Sequence, residues 1–150
     1  MPPADLTERI PELMARAHIP GVSVRWVEDG QLAWSGAFGR RLRDSGEPVD
    51  ADTVFQAASL SKPVFAYVVL KLVEQGVLTL DQPLTSYLPD LDASDGSLSE
   101  QVTARQVLCH TTGWPNWRPL GQPLRREAAP GMRFGYSGEG YVYLQRASSR

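Results

Sequence analysis

Cysteine and histidine are scarce in this sequence, and their scarcity excludes two classes of site. The single cysteine, Cys109, cannot form a disulfide within the chain. It stands next to His110, one of only two histidines, and no second Cys/His pair exists to complete a metal site. We therefore expect no metal and no cofactor.

An excess of charge of one sign and a long apolar run are also lacking. The 15 basic and 17 acidic residues leave a net charge of −2 without a basic stripe, so nucleic acid is not expected as a partner. No apolar run approaches the ~20 residues that cross a bilayer. The N-terminus, MPPADLTERIPELM, is polar and acidic where a signal peptide is basic and then apolar. We expect a cytoplasmic protein that does not bind membranes.

The first third of the chain contains local patterns for one helix and one hairpin. Apolar side chains recur at helical spacing over residues 5–18, and Pro20-Gly21 ends that pattern. Residues 21–38 alternate apolar and polar side chains around Asp29-Gly30, which is typical of a two-residue hairpin turn. With 150 residues, of which 42% are hydrophobic, we expect a single domain of the α/β (α+β) class.

The stretch from Phe55 to Val73, FQAASLSKPVFAYVVLKLV, predicts the central helix of the fold. Its apolar residues run almost without a break after Pro63, a residue that suits the first turn of a helix. A helix that is apolar on nearly every face is expected to be buried in the core. Three polar residues stand at its opening end, namely Ser59, Ser61 and Lys62.

The remaining residues predict short helices separated by loops. Gln75-Gly76 suits the end of the central helix, residues 80–91 form a proline-punctuated connector, and residues 92–100 form a surface loop. A short helix is predicted over residues 103–109, with a threonine in its capping position. A last helix is predicted over residues 138–146.

The predicted sheet is smaller than a stable sheet needs to be. A hairpin requires a third strand or another packing partner, and the sequence after Asp52 offers no further strand pattern. Either both arms pack directly on the central helix, or part of the sheet lies outside this chain.

Ser59 and Lys62 are three positions apart, which places them on one face of the first helical turn. A serine hydroxyl becomes a nucleophile when a nearby base takes its proton. A lysine can be that base where burial or a second cation keeps it neutral for part of the time. The backbone N–H groups of a helix N-terminus favour an oxyanion beside the serine. The alternative is that a serine merely caps the helix and Lys62 is solvated.

Four stretches of the chain together resemble one family. They are GVSVRWVEDGQLAWSGAFG (21–39), FQAASLSKP (55–63), VLCHTTGW (107–114) and PGMRFGYSGEGY (130–141). In this order and spacing they are similar to the serine β-lactamase-related hydrolases, which include class C β-lactamases, D-Ala-D-Ala carboxypeptidases and related esterases. The resemblance implies a β-lactamase/transpeptidase-like fold.

The resemblance also implies roles for individual residues. Ser59 matches the nucleophile that accepts the acyl group, Lys62 the lysine that helps to deprotonate it, and Tyr136 the tyrosine that shuttles the proton. A phenol is a usable base near neutral pH only where adjacent cations stabilise its phenolate. Taken alone, Tyr136 would be interpreted as a half-buried aromatic residue with its hydroxyl at the surface. The backbone N–H of Ser59 would supply half of an oxyanion hole. We assign Gly138 and Trp114 as candidate substrate-binding residues. Trp114, Trp117 and Pro119 are candidates to line a substrate cleft, and packing of these loop aromatics on prolines is the alternative.

The sequence departs from the family pattern twice. Gly138 stands where the family often has an asparagine, so the amide that would contact Lys62 and a substrate acylamide is missing. This departure favours an ester over a β-lactam or a peptide. The family's third motif, K-T-G or H-x-G, has no counterpart after Tyr136. We therefore interpret residues 1–150 as one truncated domain without its C-terminal strands.

Other hydrolase motifs fail on their own residues. Residues 135–139, GYSGE, lack the final glycine of the G-x-S-x-G nucleophile elbow. A Ser-His-Asp triad would have to use His18 or His110. His18 ends a helix and suits its C-terminal dipole, whereas H-T-T-G is expected to organise a loop through hydrogen bonds.

Two hypotheses of function remain. The first is a serine hydrolase that acts on a small-molecule ester, amide or β-lactam through an acyl-enzyme on Ser59. The second is a truncated or degenerate relative that lacks catalytic competence and acts as a binding or interaction domain. An incomplete sheet would expose apolar surface, which predicts self-association.

Overall fold

Helix α1 and a β-hairpin form the first of two compact units, Met1–Gln56. The structure is a computed structural model that describes residues 5–44, 46–89 and 101–149. Helix α1 spans Leu6–Ala17, strand β1 Gly21–Glu28 and strand β2 Gln31–Gly39. The helix and the hairpin predicted from the sequence are confirmed.

The hairpin turn has the backbone conformation that its residues predict. Asp29 and Gly30 have φ angles of 50° and 75°, the left-handed values that a two-residue turn between antiparallel strands requires. The two strands then pair antiparallel from this turn to the opposite end, where Gly21 faces Gly39. Within the described residues, the sheet consists of these two strands.

Helix α1 packs closely against the end of strand β2. Among the described residues of this unit, the buried apolar ones are Ile10 and Met14 from the helix and Val49 from the loop after β2. A Cβ atom placed on Gly39 would lie 2.7 Å from the terminal methyl of Met14 and 2.2 Å from the carbonyl oxygen of Pro20. Glycine is therefore required at this position, where φ is also positive at 75°.

The second unit, Ala57–Arg150, is largely helical. It contains a 3₁₀ turn over Ala58–Leu60, helix α2 over Ser61–Glu74, and a second 3₁₀ turn over Leu84–Ser86. Helix α3 spans Ala104–Leu108 and helix α4 spans Gly138–Ser148. These helices confirm the sequence prediction, while the predicted loop over residues 92–100 lies outside the described residues.

The helix ends follow the capping residues in the sequence. Thr103 begins α3 with a reciprocal capping box, in which its Oγ1 accepts the Gln106 N–H at 3.3 Å and the Gln106 side chain accepts the Thr103 N–H at 3.1 Å. Gly76 follows the end of α2 with a φ of 71°, the left-handed conformation expected after a helix. One apolar core joins the elements of this unit: Val69, Leu78, Leu84, Leu88, Val102, Ala104, Val107, Trp114, Leu124, Tyr143, Leu144 and Ala147.

Helix α2 is more exposed than its sequence predicts. Val69 is its one buried residue, whereas Val64 and Tyr67 are 67% and 65% exposed. The expectation of a buried central helix is therefore wrong for the described residues. Apolar composition leads to burial only where neighbours cover every face, and here one face is covered. The residues on that face are Val69 and the partly buried Phe65, Leu72 and Val73.

Candidate active site

The predicted nucleophile lies on a strained turn at the start of α2. Ser59 occupies the middle of the 3₁₀ turn Ala58–Leu60, and its side chain is exposed. Ala58, directly before it, has a φ of 44° in the left-handed region. A residue with a Cβ atom held there costs of order 1–3 kcal/mol, and such residues are concentrated at functional sites.

Lys62 contacts the serine as its sequence spacing predicts. The Lys62 ammonium donates a hydrogen bond from Nζ to Ser59 Oγ at 3.2 Å. The two residues are joined by the turn that leads into α2, so the contact is set by local backbone geometry. Lys62 is half-buried, which limits its access to water while leaving the charged group within reach of a ligand.

Tyr136 comes from a distant part of the sequence and completes the cluster. Hydrogen bonds from Ser59, the largest effect, and from Lys62 lower the pKa of the Tyr136 phenol below its usual value of 10.0. The positive charge of Lys62 acts in the same direction. The Lys62 Nζ atom lies 5.0 Å from the centroid of the Tyr136 ring. A serine hydroxyl, an ammonium group and a phenol with a lowered pKa therefore meet at one point.

Hydrogen bonds to His110 and Thr111 hold the loop that carries Tyr136 in place. This loop, residues 131–137, is called the tyrosine loop. The Gly135 N–H donates to the carbonyl oxygen of His110 at 2.8 Å, and the Gly131 N–H donates to that of Thr111 at 2.7 Å. The Ser137 N–H donates to Nδ1 of His110 at 3.0 Å. The H-T-T-G segment thus organises the tyrosine loop through hydrogen bonds, as expected from its sequence.

Ser137 anchors the loop to the start of α4. Its Oγ accepts the Gly140 N–H at 2.9 Å and donates to the Pro115 carbonyl oxygen at 3.0 Å, and the residue is buried. Sequence reasoning missed this residue. The signal was available, because serine is a preferred N-cap and it stands directly before the predicted helix over residues 138–146.

Gly138 packs closely against the loop that contains Asn116 and Trp117. A Cβ atom at this position would lie 2.7 Å from the Asn116 carbonyl oxygen and 2.9 Å from the ring of Trp117. The Gly138 N–H is shared between the main-chain and side-chain oxygens of Asn116, at 3.0 and 3.1 Å. The glycine is therefore needed for close packing, and it brings the Trp117 ring next to the site.

A small apolar cavity opens beside Lys62. Its volume is about 140 Å³. Phe65 from α2 and Tyr141 and Val142 from α4 form much of its wall, together with Trp117 and Gly138. The cavity is a place where an apolar group attached to a reacting carbonyl could be held.

Trp114 does not line this cavity. The residue is 1% exposed, and its ring packs edge-on against Tyr143 with the centroids 5.6 Å apart. The structure therefore places this proposed substrate-binding residue in the core, whereas Trp117, three residues later and 63% exposed, lines the cavity. Both tryptophans stand in a proline-rich loop, so composition alone does not distinguish them.

Candidate metal sites and membrane-spanning helices are absent from the part of the chain that the structure describes. Residues 5–44, 46–89 and 101–149 contain no group of three or more His, Cys, Asp or Glu side chains that could hold a metal ion. No helix within the same ranges has the length and apolar composition to cross a bilayer.

The chain is similar in sequence to one protein family and to several known proteins. The family described as Beta-lactamase matches residues 6–148. Esterase EstB from Burkholderia gladioli is 40% identical over 90 residues, covering 59% of this chain and 23% of the relative. Penicillin-binding protein 4 from Amycolatopsis lactamdurans is 35% identical over 106 residues, covering 71% of this chain and 28% of the relative.

Solved structures share the fold over almost the whole chain. A class C beta-lactamase in complex with cefoxitin has a TM-score of 0.81 at 27% identity, covering 95% of this chain and 42% of that protein. The octameric penicillin-binding protein homologue from Pyrococcus abyssi has a TM-score of 0.80 at 27% identity, covering 99% of this chain and 39% of that protein. The predicted fold is confirmed, and the chain spans about two fifths of the length of these structures.

Proposed function

The chain belongs to the beta-lactamase family, and we propose that it is a serine hydrolase in which Ser59 is the nucleophile and Lys62 and Tyr136 activate it. The observation that carries this proposal is the meeting of the three side chains. Lys62 Nζ lies 3.2 Å from Ser59 Oγ and 5.0 Å from the centroid of the Tyr136 ring, and hydrogen bonding from Ser59 and then Lys62 lowers the pKa of the Tyr136 phenol.

Acylation begins when Ser59 Oγ forms a bond to a substrate carbonyl carbon. Its proton passes to the Tyr136 phenolate, which the Lys62 ammonium stabilises by charge and hydrogen bonding. The negative charge that develops on the carbonyl oxygen is favoured by the backbone N–H of Ser59 at the start of α2. When the intermediate collapses, the bond to the leaving alcohol breaks, and that alcohol takes up the proton held by Tyr136.

Deacylation repeats these transfers with water in place of serine. A water molecule gives a proton to Tyr136 as its oxygen bonds to the acyl carbon. The bond between that carbon and Ser59 Oγ then breaks, Oγ recovers the proton, and a carboxylic acid leaves. The lowered pKa of Tyr136 supports this role, because it increases the phenolate fraction at a given pH.

The geometry beside Lys62 favours an ester as the substrate. Gly138 offers no side-chain amide to bind the acylamide of a β-lactam or peptide. The adjacent cavity of about 140 Å³ is lined by aromatic and aliphatic side chains together with the polar Ser61, Lys62 and Gln145. A cavity of about 150 Å³ holds benzene in another protein. A phenyl or short alkyl group therefore fits, and the relative EstB is named as an esterase.

Covalent labelling tests the assignment of the nucleophile. The full chain is incubated with a fluorophosphonate and, separately, with a β-lactam, and its intact mass is measured. We expect one adduct per chain, mapping to Ser59, with the fluorophosphonate. Ser59→Ala should abolish the adduct and leave the melting curve nearly unchanged, whereas the matched control Ser61→Ala, which removes a hydroxyl two positions away, should be labelled.

A second candidate function is binding without turnover, and the exposure of α2 favours it. Val64 and Tyr67 are 67% and 65% exposed, and Leu70 is 49% exposed. One helix therefore exposes three large apolar side chains. The occupant we propose for this face is a second copy of the chain. A folded protein that gives no adduct but a dimer mass in light scattering would support this function, and a labelled monomer would exclude it.

A further inference from the structure

His110 contacts the proposed base, Tyr136, and the residues on both sides of it. Its imidazole ring stacks on the Tyr136 ring with a centroid distance of 4.4 Å and an interplanar angle of 26°. Its carbonyl oxygen accepts the N–H of Gly135 at 2.8 Å, and its Nδ1 accepts the N–H of Ser137 at 3.0 Å. The residues on both sides of Tyr136 are therefore bonded to the same residue that stacks on its ring.

The backbone at His110 is adapted to this geometry. Its φ of 55° lies in the left-handed region, which is uncommon for a residue with a side chain. The same ring is tilted against Tyr141 at a centroid distance of 5.1 Å and meets Phe134 edge-on at 5.8 Å. An uncommon backbone conformation, a hydrogen bond and three ring contacts together fix one orientation of the imidazole.

The hydrogen bond to Ser137 determines the protonation state of the ring. A backbone N–H donates, so Nδ1 must carry a lone pair, and the proton of the neutral imidazole is on Nε2. Protonation of Nδ1 would place two N–H groups against each other and break this contact. The contact therefore exists only while His110 is neutral.

We infer that His110 is a positioning residue for Tyr136, which holds the phenol beside Ser59 and Lys62 only as a neutral imidazole that accepts the Ser137 N–H. This inference rests on the proposed role of Tyr136 as the base. It gives the enzyme an acid limit additional to the protonation of the Tyr136 phenolate, because protonation of His110 breaks the hydrogen bond that its Nδ1 accepts from Ser137.

The groups around His110 favour its neutral form. Lys62 on α2 is the charged group that faces it, while Tyr136 from the loop, Tyr141 from α4 and the preceding Cys109 are the titratable neighbours. Burial first, and then the charge of Lys62, lower the pKa of His110 below its usual value of 6.5. Because the folded state resists protonation, the contact is present above pH 6.5 and is lost as the pH falls through the lowered pKa.

Two substitutions of His110 distinguish the role of its hydrogen-bond acceptor from the role of its aromatic ring. His110→Asn keeps a side-chain oxygen that can accept the Ser137 N–H, on a residue type that tolerates left-handed backbone, and removes the titrating group. His110→Phe keeps an aromatic ring over Tyr136 and removes the acceptor. His18→Asn is the matched control, because His18 also has a left-handed backbone, with a φ of 54°.

The first readout is the rate of fluorophosphonate labelling of Ser59 between about pH 5 and pH 8, the range in which histidine titrates. We expect the wild-type rate, divided by the His110→Asn rate, to fall as the pH falls, and the same ratio for His18→Asn to stay constant. His110→Phe should be labelled at least about tenfold more slowly at neutral pH. A constant ratio for His110→Asn, or wild-type labelling of His110→Phe, would overturn the inference.

The second readout does not depend on reaction with the probe. Titration of the Tyr136 phenol is followed by NMR of the chain with ¹³C-labelled tyrosine, in the wild type and both His110 variants. We expect the midpoint to move up towards 10.0 in His110→Phe, because the phenol leaves its donors, and to stay low in His110→Asn. If wild-type Ser59 is never labelled, the proposed function fails. This titration then decides the inference separately, and an unchanged midpoint in His110→Phe refutes it.

Discussion

The Nζ atom of Lys62 lies 5.0 Å from the centroid of the Tyr136 ring, close enough to lower the pKa of the phenol. The ammonium group stabilises the phenolate form of the tyrosine by its charge and by donating a hydrogen bond. The same ammonium group donates to Ser59 Oγ. One cation therefore contacts both the group that loses a proton and the group that receives it.

Replacing Lys62 with an uncharged residue should remove the activation of Ser59. We expect Lys62→Met to lower the rate of fluorophosphonate labelling by at least about 100-fold, the contribution typical of a positioned acid–base group. The pKa of Tyr136 should rise in the same variant, because a hydrogen bond and a positive charge that lower it are lost. Intact-mass kinetics and NMR titration of the tyrosine measure the two effects.

The matched control for this experiment lies on the same helix. Lys71→Met removes the other lysine of the chain, which is exposed and paired with Glu74. It should be labelled at the wild-type rate. Equal labelling of wild type and Lys62→Met would contradict the proposed mechanism.

Removing the phenol hydroxyl should separate chemistry from packing. Tyr136→Phe keeps the ring that stacks on His110 and deletes the proposed proton acceptor. We expect labelling to slow by about 100-fold, with a free energy of unfolding within about 0.5 kcal/mol of the wild type because the residue is substantially exposed. Tyr67→Phe, an exposed tyrosine on α2, is the control that should change neither quantity.

Tyr136→Phe should also lose the dependence of the labelling rate on pH. Because hydrogen bonds from Ser59 and then Lys62 lower the pKa of Tyr136, the phenolate fraction rises with pH at values below 10.0. The wild-type labelling rate should therefore increase through this window, and the increase should be absent from Tyr136→Phe. An identical rise in both proteins would assign the titration to another group.

Local sequence patterns predicted those parts of the molecule that depend on near neighbours. The turn at Asp29-Gly30 has the backbone that its residues favour, and Thr103 caps the helix that follows it. The contact between Ser59 and Lys62 follows from a spacing of three residues at the start of a helix.

Contacts between distant segments were less accessible to such reasoning. Tyr136 was assigned through its family motif, because no local rule brings it to a serine 77 positions earlier in the sequence (136 − 59). The stacking of His110 on it depends on tertiary packing, as does the choice of which loop tryptophan is buried. The exposure of α2 was mispredicted since apolar composition indicates a tendency to be covered and does not supply the covering residues.

Gly138 offers a test of close packing at the site. In Gly138→Ala the new methyl group would lie 2.7 Å from the Asn116 carbonyl oxygen, which is part of the backbone and cannot rotate away. We expect a loss of about 1–3 kcal/mol in the free energy of unfolding, as for other overpacked positions, measured by urea denaturation. Gly135→Ala is the control, since a Cβ atom there meets nothing within 4 Å; equal stability of the two variants would contradict the crowding.

The two loop tryptophans should respond differently to substitution, because one is core and the other borders the cavity. Trp114→Ala should cost about 3–5 kcal/mol of stability, as expected for a buried aromatic side chain. Trp114→Phe should cost less, so the comparison is still possible if the alanine variant fails to fold. Trp117→Ala should stay within about 0.5 kcal/mol of the wild type and instead change which alkyl length of fluorophosphonate reacts fastest, because its ring forms part of the cavity wall. Urea denaturation and labelling with a series of probes measure both properties. A Trp117→Ala variant with unaltered preference would show that the cavity does not hold the alkyl group.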